Sequence, residues 1–315
     1  MSTVAPAERP LVQSAERLDP TGIAEVLALA ATADRTDGAG PLSEQVLLRI
    51  RHGADTPAAH LTIRDDTGRL AGYAYVDASA VTDGAAAELV VHPMHRRQGL
   101  GRALVLAVVD AAGPAGPLRV WAHGDHPSAA ALALRLGFRR DRVLLSQRRS
   151  LVEPIPEPRL AAGVTLRAFR PGVDDEAWLA VNNRSFAQHP EQGRWTLPDL
   201  RARIAEPWFD PAGFLLATDG PAGRILGFHW TKVHDGGGDG RPAEPIGEVY
   251  VLGVDPGAHG TGLGKALTLA GLRHLRDRGL TDAMLYVDES NTSAVALYER
   301  LGFARWTVDV NYRRG

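Results

Sequence analysis

One segment of this chain occurs twice. Leu89–Gly101 reads LVVHPMHRRQGLG, and 163 residues later Leu252–Gly264 reads LGVDPGAHGTGLG. Each copy is an apolar run of strand character, a proline-marked turn, a glycine-spaced loop and then a helix-forming segment. Glycines at that spacing leave backbone N–H groups pointing at one spot at a helix start, where they can hold a phosphate. A single copy would say little, because glycine loops are common. Two copies in one order constrain the chain to a duplicated domain.

A second motif follows each loop. Asn291–Phe303 (NTSAVALYERLGF) is matched by His126–Phe138 (HPSAAALALRLGF), now 165 residues apart. With this pair the chain resembles the GCN5-related N-acetyltransferase (GNAT) superfamily in both halves. Its glycine signature is Gln or Arg, two residues, Gly, one residue, then Gly or Ala. Arg96, Gly99 and Gly101 fit it; in the second half Gly262 and Gly264 fit, while His259 replaces the usual Gln or Arg.

The resemblance implies an α/β fold of two tandem acyl-CoA N-acyltransferase domains. Each is a mixed, mostly antiparallel sheet flanked by helices. The residue pattern predicts helices over 20–33 and 43–52, then strands at 60–65, 69–76 and 86–91. A helix over 99–111, a strand at 118–123, a helix from 127 and a terminal strand pair complete that half. Prolines at 154, 156 and 158 deprive the backbone of donors and stiffen it, which marks a linker. The expected division is therefore 9–150, a linker over 151–163, and 164–315. The second half repeats the order: a strand from 164, helices near 174–187 and 197–205, and strands at 214–217 and 225–234. A glycine-rich hairpin at 235–240 leads to a strand at 248–254, a helix over 262–278, a strand at 284–287, a helix from 291 and a final strand pair.

Bulk properties narrow the function. A formal charge of −2 gives no electrostatic case for nucleic acid or a membrane surface. No apolar run approaches the ~18 residues of a membrane span, and no signal-peptide pattern opens the chain. The absence of cysteine excludes disulfides, thiolate metal sites and an acyl-cysteine intermediate. The histidines show no metal-ligand spacing, so no metal is expected. A cytoplasmic monomer is the expectation.

Acetyl transfer to an amine needs a base for the ammonium proton, a donor for the oxyanion and an acid for the departing thiolate. The two copies differ in these groups. Counting back by the two offsets sets Glu248 against Ala85 and Tyr298 against Ala133. The second half thus keeps a candidate base and acid, and the first keeps methyl groups. Strand alternation puts Glu248 on one face with Tyr250 and Leu252. A pantetheine arm can pair with a strand edge, so Leu252, Gly253 and Val254 are candidates for it. His259, Gly260, Thr261, Gly262, Leu263, Gly264 and Lys265 are candidates for the pyrophosphate. The backbone N–H near Leu252 or Gly253 is the candidate oxyanion donor, with Gly253 allowing close approach.

Longer matches narrow the resemblance. They are 227–234 (GFHWTKVH), 247–256 (GEVYVLGVDP), 189–193 (HPEQG), 87–93 (AELVVHP) and 121–124 (WAHG). These resemble the actinobacterial tandem branch of the superfamily, whose members acetylate the cysteinyl amine of cysteinyl-glucosaminyl-inositol. The resemblance implies acetyl-CoA as co-substrate and that small molecule as acceptor. It implies substrate contacts at Glu44, Glu191, Lys232, Glu248 and Tyr286. It further implies cofactor contacts at Leu89, Val90, Val91, Arg97, Gln98, Gly99, Leu100, Gly101 and Arg102 in a first domain without turnover. Asn291, Thr292, Ser293, Ala294, Val295 and Ala296 would complete the catalytic cofactor site. From the residues alone, a solvated strand end explains Lys232, core packing explains Tyr286, and helix-dipole complementarity explains Glu44. Two other functions stay open: acetylation of another amine, such as an aminoglycoside or a protein N-terminus, and an acyl-CoA-binding module without catalysis.

Overall fold

A computed structural model describes residues 10–53, 58–78, 84–114, 116–187, 192–221, 223–234 and 244–315. The first half runs β1 (Gln13–Ala15), α1 (Pro20–Asp37), α2 (Glu44–His52), β2 (Ala58–Arg64), β3 (Leu70–Asp77) and β4 (Ala85–Val91). It continues with α3 (Leu100–Ala112), β5 (Leu118–Ala122), α4 (Pro127–Arg135) and β6 (Arg139–Ser150). The second half runs β7 (Val164–Ala168), α5 (Asp175–Ser185), α6 (Leu197–Ile204), β8 (Phe214–Asp219), β9 (Ile225–His234) and β10 (Ile246–Val254). Helix α7 (Leu263–Asp277), β11 (Asp282–Asp288), α8 (Thr292–Arg300) and β12 (Ala304–Arg314) close it. The expected hairpin at 235–240 lies outside the described residues.

Local chemistry sets the helix ends. Asp19 accepts from the Gly22 N–H and Pro20 opens α1, which stops at Gly38 in the left-handed region. Thr196 and Asp199 form a reciprocal capping box at the start of α6. Where strand pairs were expected, each half instead ends in one long strand. Neither 139–150 nor 304–314 contains a glycine or proline, the strongest residues for turning a chain back.

The chain divides into two compact units. The first, running to Val143, also takes Thr307–Gly315; the second takes Leu144 onward through Trp306. A division at the prolines therefore differs from the packing at both ends. In the first unit the strand order is β1-β2-β3-β4-β5-β12; in the second it is β6-β11-β10-β9-β8-β7. All neighbours are antiparallel except β4 with β5 and β10 with β11. The sheet of each unit is thus completed by a strand from the opposite half of the sequence. The proline stretch has no regular structure, yet it packs on the second unit. Ile155 is buried, and its carbonyl accepts from Arg273, which also pairs with Glu157 at 2.6 Å.

Apolar side chains cover both faces of the second sheet. One face carries an aromatic core of Trp178, Trp195, Phe214, Phe228 and Trp230, with Phe214 and Trp230 stacked at 4.3 Å. The opposite face packs on α7 through Leu263 and Leu267. In the first unit Val26, Leu29, Val46, Tyr73, Tyr75 and Val90 build the corresponding core. No helix among the described residues is long and apolar enough to cross a membrane.

Candidate active site

Two features of β10 build the site. Its pairing with β11 runs only from Gly247↔Ala283 to Val249↔Leu285, although both strands continue past that point. Its pairing with β9 shifts register between Val249 and Val251, a bulge that gives β10 one extra residue at Tyr250. The two strands therefore part company right after Glu248 and Val249, and β10 runs on into the glycine loop.

The bulge also changes which side chains share a face. Tyr250 and Val251 both pack toward the aromatic core, while Leu252 and Val254 pack on the α7 side. Glu248 and Tyr250 share a face as expected; Leu252 does not, because one inserted residue reverses the alternation beyond it. The bulge corrects the comparison of halves as well. Strand β4 pairs with β3 without a shift, so the register partner pair Lys232↔Glu248 corresponds to Asp77↔Ala86. The counterpart of Glu248 is Ala86, not Ala85, and it is still a methyl group.

Glu248 is buried, and its Oε2 lies 2.6 Å from His234 Nε2. A carboxylate only accepts, so the imidazole Nε2–H is the donor. Register puts Lys232 opposite Glu248 on β9 and Met284 opposite it on β11, so all three share a face. Lys232 is buried, not a solvated strand end. Its Nζ stands 4.5 Å from the Trp208 ring centre and 5.2 Å from that of Tyr250. Those π faces hold the cation, and Arg203 in turn fixes Tyr250 by donating to its hydroxyl at 2.8 Å. Tyr286, two residues beyond Met284, is 47% exposed on that same face. It is not core, and it follows directly on the last β10–β11 pair. Glu44 opens α2 in the first unit, behind Ser43, whose side chain caps the helix. Glu191 lies outside the described residues.

Tyr298 and Glu248 serve opposite faces of the sheet. Arg149 pairs in register with Ala283 on the α7 side and donates to the Leu301 carbonyl at the end of α8. Tyr298 is buried in that helix, edge-on to Phe303 at 5.7 Å. Burial pushes its phenol up to about 12, so it stays protonated at neutral pH. The Phe303 N–H donates to the Tyr298 carbonyl, as Phe138 does to Ala133, which bears out that pairing of the halves.

The glycine loops fit a phosphate group. Helices α3 and α7 begin behind Gly99 (φ 88°) and Gly262 (φ 81°), neither of which supplies a side-chain cap. Their first-turn N–H groups thus have no intrahelical acceptor. A side chain added at Gly260 or Gly262 would meet nothing within 4 Å, so the cradle is open. His259, the departure from the signature, keeps the brace: its Nε2 lies 3.1 Å from the Val254 carbonyl, as Arg96 Nε lies 3.3 Å from that of Val91. Asn291 caps α8, its Oδ1 accepting from the Ala294 N–H. Gly253 has a packing reason: a Cβ there would come within 2.7 Å of the Phe228 ring. His229, inside the same motif, is a core residue. Burial holds it down to about 4, and its Nδ1 lies 2.8 Å from the Leu267 carbonyl.

The GNAT acetyltransferase family model matches residues 27–138 and again 178–303. The chain is 65% identical to the mycothiol acetyltransferase of Salinispora arenicola and 57% identical to that of Thermomonospora curvata. These matches cover 96% of both chains in the first case, and 97% and 98% in the second. It belongs to the mycothiol acetyltransferase family. Among solved structures, a GCN5-related N-acetyltransferase from Sphaerobacter thermophilus is 26% identical with a TM-score of 0.67, covering 96% of this chain and 95% of its own. A tandem GNAT protein from the clavulanic acid pathway, 19% identical, shares the fold at a TM-score of 0.71 over 96% and 98%.

In this mycothiol acetyltransferase family member the first unit carries different buried chemistry at the equivalent strands. Asp77, at the position of Lys232, is bound by Arg49. Glu88 accepts from the Ser43 N–H at 2.5 Å and lies 3.6 Å from His123 Nε2; His123 Nδ1 lies 3.0 Å from Asp309. Burial alone would lower His123, but the Asp309 hydrogen bond and the two carboxylate charges outweigh it and raise the group to about 10. Asp309 is held below its usual range despite burial, by His123 and the Gly124 N–H. Sequence reasoning missed this chain of groups, because the partners are 186 residues apart. His123→Gln should destabilise the protein by about 3 kcal/mol at pH 6. The folded pKa is raised, so this advantage of the wild type is complete below about pH 6.5 and shrinks as pH rises toward 10. Urea unfolding of both proteins at pH 6 and pH 10 measures it; an equal gap at both pH values contradicts the ion-pair account.

Proposed function

We propose that the chain transfers the acetyl group of acetyl-CoA to the cysteinyl amine of 1D-myo-inositol 2-(L-cysteinylamino)-2-deoxy-α-D-glucopyranoside, giving mycothiol and CoA. The observation that carries it is the row Lys232–Glu248–Met284 on one sheet face, beside the point where β10 and β11 separate. The thioester carrier supplies an activated acetyl group. Its arm would run along Leu252–Val254, with its pyrophosphate on the loop before α7. Glu248 takes the proton from the ammonium, and the freed amine attacks from the Glu248 face. A backbone N–H at Leu252 or Gly253 holds the oxyanion. Tyr298, on the other side of the sheet, protonates the leaving sulfur.

Lys232 and the exposed ring of Tyr286 suit an acceptor rich in hydroxyls, the cation as donor and the ring as a platform. Glu191 is proposed for the same acceptor. The first unit holds acetyl-CoA at its own loop without turnover, since Ala86 and Ala133 carry no proton; there the ligand stabilises the fold by mass action. The direct test offers acetyl-CoA with the cysteinyl pseudodisaccharide, a simple peptide and an aminoglycoside, and reads released thiol. The pseudodisaccharide should win by about 100-fold or more in kcat/KM. Preference for either of the other amines overturns the proposal.

A further inference from the structure

We infer that His234 is a positioning residue for Glu248, an inference that rests on the reading of Glu248 as the base. On β9, His234 stands two residues beyond Lys232, the register partner of Glu248, and so on the same face and diagonal to it. Both side chains are nearly enclosed, at 11% and 8% exposure, and the Nε2–Oε2 separation is 2.6 Å. The donation fixes the Nε2–H tautomer. Nδ1 is left buried and without a hydrogen-bond partner among the described residues. Burying a polar ring nitrogen that way costs stability, a cost the fold tolerates while the other nitrogen grips the carboxylate.

A glutamate side chain has three torsions, and a base must hold its acceptor oxygen within hydrogen-bond reach of the ammonium. Locking Oε2 sets the plane of the carboxylate and the direction of its remaining lone pairs. A misplacement of about 1 Å in such a group can cost ~10²-fold in rate. Lys232 is on the same face but faces the Trp208 and Tyr250 rings. His234 supplies a 2.6 Å orienting bond to the Glu248 carboxylate.

Three variants of the full chain test this: His234→Ala, His234→Gln, and His234→Ala combined with Glu248→Gln. His234→Ala should lower kcat about 30-fold while the KM for acetyl-CoA changes less than about twofold. Glutamine carries an amide N–H on a side chain of similar reach, so His234→Gln should recover most of the loss. In the Glu248→Gln background, His234→Ala should cost nothing further. Wild-type kcat in His234→Ala overturns the inference, as does a Gln variant no better than Ala. An equal loss in the Glu248→Gln background also overturns it, showing that His234 acts elsewhere. Should Glu248→Gln alone keep full activity, the base reading fails and the positioning role falls with it.

Discussion

Replacing Glu248 by Gln should lower kcat by about 10²–10³-fold and leave the KM for acetyl-CoA within about twofold. The substitution keeps the shape of a side chain buried between β9 and β11, and an amide oxygen can still accept from His234 Nε2 at the observed 2.6 Å. What is lost is the ability to take a proton. The ammonium then has to shed it to water, and only the small neutral fraction of the amine reacts. Raising the pH supplies more free amine, so the deficit should narrow in alkaline buffer; that recovery separates a lost base from a damaged fold. Thiol release from acetyl-CoA at saturating acceptor, measured from about pH 7 to pH 9.5, reads both effects. A variant as fast as the wild type at neutral pH removes Glu248 from the reaction.

How much of this was legible in the residues follows from what each inference needed. The duplication, the glycine loops and the order of elements rest on local patterns, and apart from β1 and the two terminal strands the helices and strands fall within a few residues of expectation. The contrast of Glu248 and Tyr298 with alanines in the other half also holds, because a titratable group facing a methyl group is visible in any alignment. Two features were out of reach. A β-bulge has no signature in ILGFHWTKVH or IGEVYVLGV, so the face of Leu252 and the true counterpart of Glu248 came out wrong by one residue. The exchange of final strands is a long-range choice: β12 pairs with β5 through contacts such as Asn311↔Trp121, which no local period encodes. His234 was in view as part of a motif, but its grip on Glu248 depends on the diagonal geometry of two paired strands. Tyr286 shows the opposite case. Core packing was the reading from the residues alone, yet it is exposed where β10 parts from β11.

Replacing Tyr298 by Phe should also lower kcat by about 10²–10³-fold, through a different step. The ring packs edge-on against Phe303, and phenylalanine keeps that contact, so the fold should be unaffected. Burial pushes the hydroxyl up to about 12, which keeps its proton in place through the working range. Register and the Arg149–Leu301 bond put α8 on the α7 side, away from the face of Glu248. On the proposed reading the amine enters from one face and the thiol leaves toward the other. The two losses should therefore respond to different remedies. Alkaline pH helps Glu248→Gln by supplying free amine, but does little for Tyr298→Phe. An acetyl thioester of a more acidic thiol, whose leaving group needs no proton, should restore much of the Tyr298→Phe rate and none of the Glu248→Gln rate. Equal rescue of both variants by the acidic thiol, or a Phe variant with wild-type kcat, would deny Tyr298 the role of acid.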